Sequence, residues 1–393
     1  MTLDVHFGFD EQGKPVSIPL FQTFINATSG HGKTLLNKTM AWRFHEGHPD
    51  WTVLIIDSKD KRDYADFNAD IPLCFVETTD PLELKNLFEP FVGSGMMYYL
   101  DKIIEEAIFP TLREMQQTIQ KKIDAADKGK LRIHGKELGK LRVINLLLKK
   151  LIVLIERPDI TSDLVLRKGE INVMSVSLPG IPTNLKRAFQ WLIVRSVMLK
   201  LSEPQFEKVL TVLDEFHKWS PQRWASICKQ PVSENVSEGR GKECFYWMAD
   251  QALAKVDKEP LKPVKVWIVG QQLAKHEVQY AAETVNDVTD LTVDRRDIKT
   301  LSVGFFLIVD GVHREVKRAY MQPCGVPSDL AVEIATGRRP VEDAEPYIQN
   351  FKFPIKRRED EDMWREKYER LEKEFAQQVS LKVEEKTNEL KKE

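Results

Sequence analysis

Residues 27–34 read Ala-Thr-Ser-Gly-His-Gly-Lys-Thr and lie between an apolar run, Leu20 to Ile25, and a helix-forming run, Leu35 to Phe44. Small residues at this spacing, closed by Lys-Thr, fit the A/G-x-x-x-x-G-K-T pattern, in which backbone N–H groups wrap phosphate oxygens. The flanking runs put the loop between a strand end and a helix start, so the positive end of a helix dipole also faces the bound anion. The pattern assigns Ser29, Gly30, His31, Gly32, Lys33, Thr34 and Leu35 to a nucleotide, with Lys33 on the β/γ oxygens and Thr34 on Mg2+. Ala27 stands where Gly is commoner. His31 is expected to face solvent; contact with the γ-phosphate is the other reading.

Short apolar runs recur between helical stretches at Leu20 to Ile25, Val53 to Ile56, Leu73 to Val76, Val173 to Leu178, Val209 to Leu213, Phe245 to Ala249, Val264 to Val269 and Phe305 to Val309. Near-continuous apolar strands separated by helices predict a mainly parallel sheet covered on both faces, the core of an α/β nucleotide-binding fold. At 393 residues the chain is long enough for one large α/β domain with insertions, or for two domains.

A phosphate loop binds; hydrolysis also needs a metal-orienting acid, a base for water and a charge that neutralises the transition state. Val209 to Leu213 is an apolar strand that ends in Asp214 and Glu215. Asp214 is placed to hold Mg2+ through its water shell and Glu215 to polarise the attacking water, although two acids can also close an ordinary strand. Gln251 follows the strand Phe245 to Ala249 and is a candidate γ-phosphate sensor or a plain polar cap. Arg240 precedes that strand, at the end opposite Gln251, and is either a finger reaching a neighbour's nucleotide or a surface arginine. Asp57, closing Val53 to Ile56, steadies the loop region or simply caps its strand.

The formal charge of -2 provides no global field for nucleic acid, so any such surface must be local. Residues 110–157 hold twelve Lys or Arg against five Asp or Glu. This helical stretch is either a solvated insertion or a surface that touches phosphate backbones. From Arg357 onward Trp364, Tyr368, Leu371, Phe375, Val379 and Val383 form one apolar stripe on a charged helix, suited to a subunit contact or packed lightly on its own domain. Cys74, Cys228, Cys244 and Cys324 make no CxxC pair, which argues against zinc or a disulfide framework and fits a reducing, cytoplasmic location. No signal peptide or membrane span is expected, since Lys149 and Lys150 interrupt the best apolar stretch, Val143 to Ile155.

Five blocks in order, ATSGHGKT, LIIDSKDKRDY, GEINVMSVSLP with LKRAFQWLIVRSVMLKL, VLTVLDEFHKW and EGRGKECFYWMADQ, resemble the HerA/FtsK superfamily of ring-forming DNA-pumping ATPases, including its conjugation branch. The likeness spans about residues 15 to 275. It implies a RecA-like P-loop NTPase core and a homohexameric ring that uses ATP and Mg2+ to move double-stranded DNA. It also places Lys33, Thr34, Asp214, Glu215, Gln251 and Arg240 in the family's roles. A conjugation-type ATPase powering protein secretion or assembly is the alternative, and a nuclease or a secretion apparatus the corresponding partner. Only 26 residues precede the loop, without the β-barrel of HerA proteins or the membrane helices of coupling proteins. The expected organisation is residues 1–109 and 161–350 as two parts of the ATPase core, 110–160 as a basic helical insertion and 351–393 as a charged C-terminal helix.

Overall fold

The computed structural model describes residues 3–92, 111–223 and 225–354. Its strands are β1 (Asp4–Asp10), β2 (Pro15–Pro19), β3 (Thr23–Asn26), β4 (Thr52–Asp57), β5 (Leu73–Cys74), β6 (Ile160–Thr161), β7 (Ile171–Ser175), β8 (Val209–Leu213), β9 (Cys244–Asp250), β10 (Val266–Val269), β11 (Phe305–Asp310) and β12 (Glu315–Met321). Ten of them form one sheet in the order β2-β1-β12-β11-β10-β3-β9-β8-β4-β7. From β10 to β7 every pairing is parallel. From β10 outward to β2 every pairing is antiparallel.

The main helices are α1 (Lys33–Gly47), α2 (Pro81–Val92), α3 (Leu112–Asp127), α4 (Gly135–Ile155), α5 (Thr183–Leu201), α6 (Lys229–Glu238) and α7 (Lys275–Thr289). They bury both faces of the parallel half, and the strands show why their sequences read as unbroken apolar runs. In β4, Val53 and Ile55 join the core under α1, whereas Leu54 and Ile56 join the core under α3 to α7. Successive side chains of a strand point to opposite faces, so a strand covered on both sides needs apolar residues at every position.

Two departures from the expected sheet have clear causes. The Leu73 strand leaves the main sheet and pairs with β6 in a separate two-stranded parallel sheet. Phe305–Asp310 belongs to the antiparallel wing, since only a short turn joins it to β12 and a short connection permits only an antiparallel partner.

The basic stretch folds as the α3–α4 hairpin. Thr111 caps α3 by accepting the Glu114 N–H at 3.1 Å. Met115, Ile119 and Ile123 on α3 face Leu141, Ile144, Leu148 and Leu151 on α4, all buried in the core that α5 also joins. Arg132, Lys136, Lys140 and Lys150 remain on the exposed side. The stretch is therefore amphipathic: it supplies core on one face and positive charge on the other.

At the end of the described chain Phe353 stacks on Phe67, with ring centroids 4.4 Å apart. The apolar stripe expected from Trp364 to Val383 lies outside the described residues. Among the described residues, no helix is long and apolar enough to cross a membrane.

Candidate functional site

The sheet order brings the site together. β9 lies between β3 and β8, with Asn26 opposite Asp250 and Leu213 opposite Met248. All three strands run the same way, so the loop after β3, Gln251 after β9 and Asp214–Glu215 after β8 emerge side by side at one sheet edge.

In the loop, Ser29 and Gly30 are exposed while Ala27 and Lys33 are buried. Gly32 caps α1 with φ 94 and ψ 13, a left-handed conformation in which an L side chain is strained. Ala27 lies outside that region, so alanine serves where glycine is commoner.

His31 corrects an expectation: its side chain does not face solvent. It is buried beneath the loop, with Nε2 2.8 Å from the Phe305 carbonyl oxygen and its ring edge-on to Phe306 at 4.9 Å between centroids. Burial pushes its imidazole below the ordinary value, against the Phe305 hydrogen bond. A Cβ on Gly270 would stand 2.5 Å from the His31 ring, so glycine at that position makes the pocket possible. The loop is thus pinned from below by the antiparallel wing.

Asp214 and Glu215 are both buried. Glu215 adopts φ 53 and ψ 50, a left-handed conformation that costs a non-glycine residue on the order of 1–3 kcal/mol and recurs at functional sites. Its N–H donates to Asp214 Oδ1 at 2.9 Å, and Trp219 Nε1 donates to the Asp214 carbonyl at 3.1 Å. Gln251 Nε2 donates to Glu215 Oε1 at 2.9 Å, which ties the β9 tip to the acid after β8. Lys33 Nζ stands 3.8 Å from Asp214 and 3.7 Å from Glu215, without a hydrogen-bond partner of its own.

Asp57 takes a definite place, and with it enter Lys59, Asp63, His217 and Lys218, which the motif reading did not single out. Asp57 is buried and accepts the N–H groups of Lys59 at 3.0 Å and Tyr64 at 3.4 Å. It does more than cap β4, since it ties the turn that carries Lys59 and Asp63; burial holds its carboxyl above the usual range despite those bonds. Lys59 Nζ reaches Asp63 at 2.8 Å, Asp214 at 2.9 Å and the Thr34 hydroxyl at 3.2 Å. Burial opposes its charge, but Asp214 and Asp63 outweigh burial and hold the ammonium above its ordinary value. His217 Nδ1 lies 2.8 Å from Asp250 Oδ2 and 3.9 Å from Glu215. Lys218 Nζ donates to the Ser58 hydroxyl at 3.0 Å, and burial lowers its pKa against the pull of Glu215 and Asp214.

The oxygens of Thr34, Asp214 and Asp63 are hard ligands of the kind Mg2+ takes, and they already converge on one cation, the Lys59 ammonium. The donor set fits the metal that the loop pattern calls for.

Arg240 is the one expected site residue that the fold keeps apart. It is exposed in the turn after α6, at the other end of β9, with its guanidinium 5.5 Å above the Phe21 ring. The chain reaches Arg240 from α6, on which Val232, Asn235 and Val236 are buried.

No protein-family model and no curated protein sequence matches the chain. Among solved structures, VirB4 of Thermoanaerobacter pseudethanolicus superposes with a TM-score of 0.59 at 15% identity, covering 83% of this chain and 98% of that one. The chain has the fold of VirB4. That agreement concerns the fold alone, and it accords with the RecA-like α/β core expected from the sequence. Looser matches are the conjugative coupling protein TrwB (TM-score 0.48, 10% identity, 80% of this chain and 88% of that one) and the genome packaging NTPase B204 of Sulfolobus turreted icosahedral virus 2 (TM-score 0.40, 9% identity, 77% and 97%, in complex with ATP-gammaS).

Proposed function

We propose that this chain is an ATP-hydrolysing motor that moves double-stranded DNA as a homo-oligomeric ring, a hexamer by its motif resemblance. The observation that carries the reading is the meeting of Lys33, Thr34, Asp214, Glu215 and Gln251 at the tips of three adjacent parallel strands. Thr34 and Asp214 would hold Mg2+, which when bound neutralises charge on the β and γ phosphates. Lys33 supplies positive charge to the same oxygens. Glu215 accepts a proton from the attacking water, and the Gln251 amide fixes which way that carboxylate points.

Arg240 stands too far along β9 to serve its own loop, so its role in this reading is to complete the site of the next protomer. The exposed face of the α3–α4 hairpin, with Arg132, Lys136, Lys140 and Lys150, is suited to phosphate backbones without reading sequence. A soluble, cytoplasmic motor recruited by a nuclease or a secretion apparatus completes the proposal. The conjugation branch of the motif resemblance leaves an ATPase that powers protein secretion or assembly as the rival.

Phosphate release measured with and without duplex DNA at low and high salt separates the two. The motor reading expects DNA to accelerate turnover, with an effect that fades as salt rises. A rate indifferent to duplex DNA at low salt would favour the rival.

A further inference from the structure

Lys59 carries a consequence beyond hydrolysis itself, and it rests on the nucleotide-site reading above. Its ammonium touches the Thr34 hydroxyl, one oxygen of Asp214 and one of Asp63, at 3.2, 2.9 and 2.8 Å. Thr34 and Asp214 are the two residues that would hold Mg2+. An ion bound to them at about 2.0–2.1 Å, or through its tightly held waters, needs the same volume. Two like charges cannot share it.

Lys33 is already close to Asp214 and Glu215, so the acids do not depend on Lys59 for a nearby cation. Lys33 Nζ is buried and makes no hydrogen bond, as expected of a group kept free for phosphate oxygens. Lys59 differs: it is fully engaged, and engaged with the metal's own ligands. Its side chain is 23% exposed and sits on the turn tied by Asp57, so it can swing toward solvent while the turn stays in place.

We propose that Lys59 is a tethered cation that occupies the metal position of the resting site, so that Mg2+ enters only when a nucleotide arrives with it. Nucleotide brings several negative charges, which draw the metal in and supply the ligands that Lys59 cannot displace. Without nucleotide, free Mg2+ meets a position already neutralised. The coupling keeps the carboxylates paired between cycles and makes metal occupancy report nucleotide occupancy.

The test uses the full chain and three measurements. First, a non-hydrolysable ATP analogue is titrated with Mg2+ into the wild type. Second, Mn2+ binding to nucleotide-free protein is followed by electron paramagnetic resonance in wild type, Lys59→Met and Lys59→Gln, the last guarding against a single misfolded variant. Third, the melting temperature of each is read with and without Mg2+ alone.

The expected result is analogue binding by the wild type, and Mn2+ binding at least about tenfold tighter in both variants. Mg2+ alone should raise the variants' melting temperature and leave that of the wild type unchanged. Mn2+ affinities that are equal, or weaker in the variants, would overturn the Lys59 assignment while analogue binding still upheld the site. Failure of the wild type to bind the analogue would remove the site reading itself, and this inference with it.

Discussion

His31 takes neither of the two places that the spelling of the loop left open, solvent or the γ-phosphate. Its imidazole is buried, hydrogen-bonded to the Phe305 carbonyl and packed on Phe306. His31→Ala should therefore lower unfolding stability by about 1–3 kcal/mol in a denaturant titration, because it opens a gap under the loop and removes the hydrogen bond to the Phe305 carbonyl. A solvent-facing histidine would cost no more than about 0.5 kcal/mol. Asp250 offers a second residue-scale check. Burial would raise its carboxyl, but the His217 ring and the N–H groups of His217 and Ala252 hold it below the usual range. A depressed carboxyl contributes stability above the unfolded value near pH 3.9, and that contribution is lost as pH falls through the folded value. Asp250→Asn should cost most stability near neutral pH, with the gap to wild type closing below about pH 4. Urea midpoints taken across pH would reveal it.

At the scale of elements, the α3–α4 hairpin divides its residues between two jobs. Leu148→Ala should destabilise by about 2–5 kcal/mol, as for other large-to-small changes in a core. Lys140→Ala combined with Lys150→Ala should leave the melting temperature nearly unchanged. It should weaken duplex DNA binding and flatten its salt dependence by about 0.9 in slope for each phosphate that is no longer neutralised. Unchanged DNA affinity in that double variant would mark the charged face as solvated surface. The parallel half of the sheet was legible in the sequence because strands buried on both faces are apolar throughout, as in Val209 to Leu213. Apart from β11, the wing was not: β12 reads Glu-Val-Lys-Arg-Ala-Tyr-Met, with its charged half only partly buried, and a half-solvated strand carries little apolar signal. The P-loop and the paired acids were legible because their spacing is local. Lys59 was hidden in the charge run from Asp57 to Asp63, where only the turn decides which cation points inward. His31 was hidden because its partners, Phe305 and Phe306, lie more than two hundred residues further along the chain.

For the whole molecule, the separation of Arg240 from the loop of its own chain sets the largest question. If neighbouring protomers share each site, Arg240→Ala and Glu215→Gln proteins, each deficient alone, should regain part of the turnover when mixed, since some interfaces would then combine an intact acid with an intact arginine. A mixture no more active than its parts would assign Arg240 to the surface. The central claim is that Lys33, Thr34, Asp214 and Glu215 form one hydrolytic ATP site driven by duplex DNA. Its most direct test is the steady rate of phosphate release from Mg-ATP, read side by side for wild type and Glu215→Gln with duplex DNA present. The account predicts turnover in the wild type and a fall of about 10² to 10⁴ in the variant with ATP binding retained; equal rates in the two proteins would contradict it.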